Sequence, residues 1–257
     1  MEILKNKKAF ICDMDGVIYH GNQILPGVKD FVQWLKDENK NFLFLTNSGN
    51  KTPRELREKL LRLGLDIPEA NFYTSALATA AFLSRQKPGG SAYVIGDAGL
   101  LNALYNAGYS VNDSNPDYVI VSETNNYSIS ALNKAVELVL NGAKLIGTNP
   151  DLTDPSENGI IPATGSLIAP IELTTGCKAY FLGKPNPLMM RTALKILETR
   201  REDTAIIGDR METDIIAGIE SEITTVLVLS GVTSEKSLKN YPYSPDYILN
   251  GVGDLAK

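Results

Sequence analysis

Histidine and cysteine, the residues on which most nucleophilic triads and zinc centres depend, are nearly absent from this chain. There is one histidine, His20, and two cysteines, Cys12 and Cys177, in 257 residues. The cysteines are far apart and form no C-x-x-C or Cys/His cluster, so neither a disulfide framework nor a zinc site is signalled, and one histidine supports no His-based triad. Positive charge is not in excess either. A net charge of -5 argues against a nucleic-acid partner, which needs a basic face. The one Arg-rich segment, TPRELREKLLRLG, interleaves its arginines with Glu55 and Glu58 and reads as a solvated helical face. Long hydrophobic runs are missing too. Uncharged stretches such as Asn71 to Ser84 are broken by Thr and Ser and fall short of the roughly 20 apolar residues a membrane span needs. The opening MEILKNKKAFICD holds only a brief apolar stretch, too short for a signal-peptide core, so the expected location is the cytoplasm.

What the chain does have is enough apolar residue, 43%, for a large core, and an alternation of strand-like and helix-like runs typical of an α/β fold with a largely parallel sheet. The strand candidates are KAFIC, NFLFLT, AYVIG, DYVIV, KLIGT, AYFLG, TAIIG and TVLVL. Val28, Phe31, Val32 and Leu35 recur at helical spacing and predict a helix over about 27–38. Thr52, Pro53 and Glu55 form a capping-box start for a second helix ending at Gly64, and Asn186-Pro187 repeats a start signal.

In open α/β sheets ligands bind beyond the carboxyl ends of strands, so polar residues directly after strand runs form one list. Asp13 and Asp15 follow KAFIC, Thr46 and Asn47 end or follow NFLFL, Lys184 follows AYFLG, and Asp209 follows TAIIG. An isolated D-x-D-G is ordinary turn sequence. Together, however, these residues supply adjacent carboxylates, a hydroxyl and amide, an ammonium and a third carboxylate, a set suited to phosphoryl transfer. Mg²⁺ takes oxygen ligands and is held by one or two carboxylates with waters and phosphate. A carboxylate can also attack phosphorus directly while a second carboxyl moves the proton.

The motifs DMDGV (13 to 17), LTN (45 to 47), GKPNP (183 to 187) and GDRMETD (208 to 214), in this order, resemble those of the haloacid dehalogenase (HAD) superfamily of phosphatases. The resemblance implies Asp13 as nucleophile, Asp15 as general acid/base, Thr46 and Asn47 as phosphate-binding groups, and Lys184 as the ammonium that orients nucleophile and phosphate. It also implies Mg²⁺ held by Asp13, the backbone carbonyl of Asp15, and Asp209, with Asp214 supporting the metal's water shell. The competing use of Asp214 is to favour a helix start, and of Thr46 and Asn47 to open a loop.

About 137 residues separate Asn47 from Lys184, far more than one crossover requires. The interval has its own strands and helices, so an inserted domain is expected. TSALATAAFL, NPDYVIVSET, GTNPD and VLVLSGV narrow the resemblance to the NagD-like branch. That branch implies a Rossmann-like parallel-sheet HAD core at 1–78 and 181–257, with an inserted α/β cap domain at 79–180 that selects the substrate. It also implies activity on nucleoside 5′-monophosphates such as UMP. TNPD (148 to 151), with Asn149 and Asp151, and ATGS (163 to 166) are the loops expected to read the leaving group. Three classes stay open: a Mg²⁺-dependent phosphatase acting on this or another small phosphomonoester, a phosphotransferase or mutase with the same nucleophile, and a phosphate-binding protein without turnover. The expected partner is a small-molecule phosphomonoester, with no nucleic acid or membrane, and homo-oligomer formation stays open.

Overall fold

A computed structural model describes residues 1–156 and 159–257. The chain forms two compact units, the first from residues 1–46, 57–73 and 184–257, the second from 47–56 and 74–183. The bounds read from sequence put 47–56, 74–78 and 181–183 with the first unit, and the structure gives all three to the second; 181–183 goes there because Tyr180–Phe181 pairs with Lys144–Gly147. Segment 47–56 is the longest of them, and hydrogen bonds at Asn47 and Gly49 hold it there.

The first unit is built on a six-stranded sheet in the spatial order Tyr247–Leu249, Thr224–Val228, Thr204–Gly208, Ala9–Cys12, Asn41–Thr46, Phe72–Thr74. Numbered along the chain this is the doubly wound order 3-2-1-4-5-6, and its strand order reverses between Ala9–Cys12 and Thr204–Gly208. Those two strands pair in parallel, Cys12 opposite Ile207, and Ala9–Cys12 pairs in parallel with Asn41–Thr46 on its other side, Cys12 opposite Phe44. Every residue of Ala9–Cys12 and Thr204–Gly208 is buried, as expected of parallel strands covered on both faces.

The helix predicted from the Val28, Phe31, Val32, Leu35 spacing runs Val28–Asp37, with those four residues buried. Its Phe31 and Trp34 meet Phe10 of the central strand, with ring centroids 6.4 and 5.5 Å away. The capping box is present at Pro53–Arg62: Thr52 N–H donates to Glu55 Oε2 at 2.8 Å and Glu55 N–H to Thr52 Oγ1 at 3.2 Å. Asn186 caps Pro187–Ile196 by accepting from Leu188 N–H at 2.9 Å. A short hairpin, Tyr19–His20 with Gln23–Ile24, follows the first motif and has no counterpart in the sequence reading.

The second unit has a five-stranded sheet in the order Tyr180–Phe181, Lys144–Gly147, Tyr118–Val121, Ser91–Ile95, Ser110–Val111, all parallel. Apart from the antiparallel hairpin Thr153–Ser156 with Gly159–Pro162, this is the order 2-1-3-4-5, the other common doubly wound arrangement. Val119, Val121, Leu138, Leu145, Ile168 and Ile171 form its core. No helix among the described residues is long and apolar enough to cross a membrane.

Phe10 is fully buried at the centre of the first unit's aromatic cluster. Phe10→Ala is expected to lower that unit's stability by about 3–5 kcal/mol. Urea unfolding of the full chain, followed by fluorescence of Trp34, its only tryptophan and a direct neighbour of Phe10, checks this.

Candidate active site

The ends of the two strands flanking the first sheet's switch point carry the acidic residues. Asp13 directly follows Ala9–Cys12 and is still held by the neighbouring strand, its N–H donating to the Ile207 carbonyl at 2.8 Å. Asp209 directly follows Thr204–Gly208, and Asp214 lies in the helical turn Met211–Ile215 just beyond. Carboxylate oxygens of Asp13, Asp209 and Asp214 lie within 4.8 Å of one another.

A single ammonium links them. Lys184 Nζ is 2.5 Å from Asp13 Oδ1 and 2.6 Å from Asp214 Oδ1, with 2% of the lysine exposed. Burial alone would favour the neutral amine, but the two carboxylates outweigh it and hold the Lys184 pKa above its ordinary value. Burial, reinforced by Asp214 and Asp209, pushes the Asp13 carboxyl well above the usual range, against the opposing pull of Lys184. Asp209 is pushed up to about 6 by burial and by Asp214. One ammonium thus faces three carboxylates, and the cluster carries an excess of negative charge.

The remaining oxygens show where a cation fits. Asp214 has both oxygens engaged, Oδ1 by Lys184 and Oδ2 by the Arg210 N–H at 3.1 Å. Asp209 Oδ2 accepts from Val232 N–H at 2.7 Å, but its Oδ1 is buried with no hydrogen-bond partner. A buried carboxylate oxygen left unpaired is costly unless something positive meets it. An all-oxygen, acidic donor set with such an orphan fits a hard divalent cation. Asp214 holds Lys184 and its own helical turn, and its carboxylate still lies with those of Asp13 and Asp209 in the group placed to hold a cation.

Three glycines make this crowding sterically feasible. A Cβ on Gly16, whose φ is +76°, would lie 2.5 Å from Asp209 Oδ2, one on Gly231 2.0 Å from the same atom, and one on Gly208 2.1 Å from Asp214 Cγ. Ser230 ties the same region together by donating to the Gly16 carbonyl at 2.7 Å. Sequence reasoning missed Ser230, Gly231 and Val232; the available signal was SGV directly after the strand run VLVL.

Asp15 is exposed, in a turn closed by Gly16 N–H to the Tyr19 carbonyl at 2.9 Å. Thr46 is half-buried at the end of Asn41–Thr46, the strand beside Asp13's own. The other three expected site residues belong to the second unit. Asn47 is buried and donates from its side chain to Asp151 Oδ2 at 2.9 Å. Asn149 is fully buried, its amide nitrogen shared among the Asn47 carbonyl (2.8 Å), Glu123 Oε1 (2.7 Å) and Thr164 Oγ1 (3.2 Å), while its Oδ1 accepts from Asp151 N–H at 3.1 Å. The structure therefore gives Asn149 the work of holding backbone and leaves it no free polar atom for a substrate. Of ATGS, Ala163 and Thr164 are fully buried and Ser166 Oγ donates to the Leu152 carbonyl at 2.6 Å.

Two family models match the chain, one described as haloacid dehalogenase-like hydrolase over residues 10–110 and one as HAD-hydrolase-like over 181–255. Dihydroxyacetone phosphatase of Corynebacterium glutamicum is 46% identical over 248 residues, 96% of this chain and 90% of that protein. Ribonucleotide monophosphatase NagD of Escherichia coli is 42% identical over 248 residues, 96% of this chain and 98% of that protein. The solved NagD structure matches with a TM-score of 0.91, covering 97% of this chain and 98% of that one. The structure of 4-nitrophenylphosphatase from Thermotoga maritima matches with a TM-score of 0.95 at 32% identity, covering 99% and 98%. Family models over both flanks, full-length relatives and shared fold lead to one assignment: the chain belongs to the haloacid dehalogenase-like hydrolases, in the NagD-like branch of their phosphatases.

Proposed function

We propose that the chain hydrolyses small phosphomonoesters through an aspartyl phosphate on Asp13, with Mg²⁺ as the cation. The observation that carries this reading is the buried cluster in which Lys184 Nζ bridges Asp13 and Asp214 while Asp209 Oδ1 has no partner. Asp13 and Asp209 would hold the Mg²⁺, with the Asp15 carbonyl as a further oxygen. When bound, the metal supplies charge neutralisation for the phosphate oxygens.

The other steps belong to the protein's own groups. Lys184 aims Asp13 Oδ1 and balances charge beside it, and Thr46 donates to a phosphate oxygen from the adjacent strand end. Asp13 attacks phosphorus, and the bond to the leaving oxygen breaks. Asp15, exposed and two residues on, gives that oxygen its proton and later takes one from the water that attacks the aspartyl phosphate. Phosphate leaves and both carboxyls return to their starting states. We assign the second unit to substrate selection.

For the leaving group, identity to NagD over nearly the whole of both chains supports nucleoside 5′-monophosphates such as UMP. The similarity to dihydroxyacetone phosphatase favours a second reading, a short phosphorylated ketose or sugar. Side-by-side kcat/KM values decide: UMP is expected to exceed dihydroxyacetone phosphate, and the reverse order transfers the assignment to the second reading.

Removal of divalent metal with excess EDTA is expected to abolish phosphate release, and Mg²⁺ to restore it. The carboxylates must be ionised to offer oxygens, and Asp209 is pushed up to about 6. The Mg²⁺ concentration for half-maximal activity should therefore rise as pH falls through about 6. Full activity in EDTA would remove the metal from the reaction.

The two carboxylates of DMDG separate in a burst experiment. With 4-nitrophenyl phosphate, whose leaving group needs little protonation, Asp15→Asn should form the aspartyl phosphate and stall, releasing about one nitrophenol per site before slow turnover. Asp13→Asn should show no burst. A burst from Asp13→Asn alone would reverse the two roles.

A further inference from the structure

The second unit contains a buried polar cluster that the phosphatase reading leaves unused. Its sheet reverses strand order between Ser91–Ile95 and Tyr118–Val121, the position where open parallel sheets bind ligands. Here the chain fills that crevice itself. Gly49 N–H donates to Glu123 Oε2 at 3.1 Å, and Gly99 N–H, in the first turn of helix Ala98–Asn106, donates to the Asn50 carbonyl at 3.2 Å. The fit excludes side chains: a Cβ on Gly49 would meet Ser122 Oγ at 2.5 Å, and one on Gly99 would meet the Gly49 carbonyl and Lys51 N at 2.6 Å.

Glu123, just beyond the end of Tyr118–Val121, is the acceptor at the centre. Besides Gly49 N–H it accepts from Ser122 Oγ at 2.9 Å and from Asn149 Nδ2 at 2.7 Å, with 8% of the residue exposed. Burial, against the Gly49 hydrogen bond, pushes its carboxyl up to about 7. Asn149 extends the cluster by donating to the Asn47 carbonyl, which also accepts from Ser75 Oγ. Gly183 joins from the other side, its N–H donating to the Thr148 carbonyl at 2.7 Å, with Asn47 Oδ1 2.7 Å from where its Cβ would be. Asn47 directly follows Thr46 in the chain, and Gly183 directly precedes Lys184.

We propose that Glu123, with Asn149, is a positioning residue that seats the backbone of Asn47–Gly49 in the second sheet's switch-point crevice and so fixes the second motif. Its effect on turnover rests on the phosphatase reading, whereas its effect on the backbone does not.

Glu123→Gln keeps the size of the side chain but sets an NH₂ among groups that all donate. Hydrogen exchange of the full chain, read by mass spectrometry on peptides spanning 47–56, is expected to be about tenfold or more faster in this variant. Glu123→Asp, which keeps an acceptor carboxylate, should recover part of the protection. On 4-nitrophenyl phosphate, Glu123→Gln should lose about tenfold to a hundredfold in kcat/KM, mainly through KM, with the half-maximal Mg²⁺ concentration unchanged. Unchanged exchange over 47–56 overturns the proposal, as does a loss of activity that appears in kcat and Mg²⁺ affinity. If Glu123→Gln does not fold, Gly49→Ala probes the same seat with Glu123 intact: faster exchange over 47–56 with raised KM supports the proposal, and unchanged exchange overturns it. A wild-type chain without phosphatase activity would sink the functional reading alone, since the exchange measurement still decides the docking.

Discussion

The site depends on one buried ammonium. Taking three carboxylates out of water within a few ångströms of each other is strongly unfavourable, because each loses hydration and each repels the others. Lys184 Nζ, in hydrogen-bond contact with both Asp13 and Asp214, offsets part of that cost and fixes the orientation of both carboxylates. Replacing it by a neutral group would leave the acids to take up protons, and a protonated Asp13 is a poor nucleophile. The ammonium therefore has an electrostatic role before any substrate arrives. One ammonium among three carboxyl groups leaves a shortage of positive charge, which the raised Asp13 and Asp209 carboxyls express and which a divalent cation would fill.

Concentrating charge in this way requires a backbone that comes closer to side chains than most residues allow. Gly16 and Gly231 both press on Oδ2 of the Asp209 carboxyl, and Gly208 lies against Asp214. Any methyl at these positions would push a carboxylate by an ångström or more, and well-oriented groups tolerate little displacement. The stability lost to crowded acids is recovered elsewhere in the unit, in strands buried on both faces and in the Phe10, Phe31 and Trp34 cluster beneath. This division, rigid apolar sheet below and strained polar edge above, is common where stability and chemistry compete.

Much of this was readable in advance because it is local. The Val28 to Leu35 spacing, the Thr52–Glu55 capping box and the Asn186-Pro187 helix start are each decided within a few residues, and each appears as expected. Lys184 differs: the strand before it, Tyr180–Phe181, ends three residues earlier and pairs in the second sheet, not in the one that carries Asp13 and Asp209. One long helix, Ser75–Gln86, escaped. Its Ala76, Ala78, Thr79, Ala80 and Leu83 are all buried, so small residues on several faces erase the 3.6-residue period that would mark an amphipathic helix. Asn149 shows a different limit. TNPD follows a strand just as the catalytic motifs do, but position at a strand end cannot tell an open crevice from one already filled. Only the three-dimensional partners of its amide, Asn47, Glu123 and Thr164, show that it is occupied.

The two sheets of this chain thus use one geometric rule in opposite ways. Both are doubly wound, and both place buried acidic groups at the reversal of strand order. In the first, an oxygen of Asp209 is left without a partner, a cost sustained only where something else is to be bound. In the second, Glu123 has neutral donors on both oxygens, and a loop of the same chain lies where a ligand would. Satisfied hydrogen bonds argue for holding, and unsatisfied ones for binding. By that criterion the acid of the second sheet serves structure, and its structural task is to seat the loop that begins at the second motif.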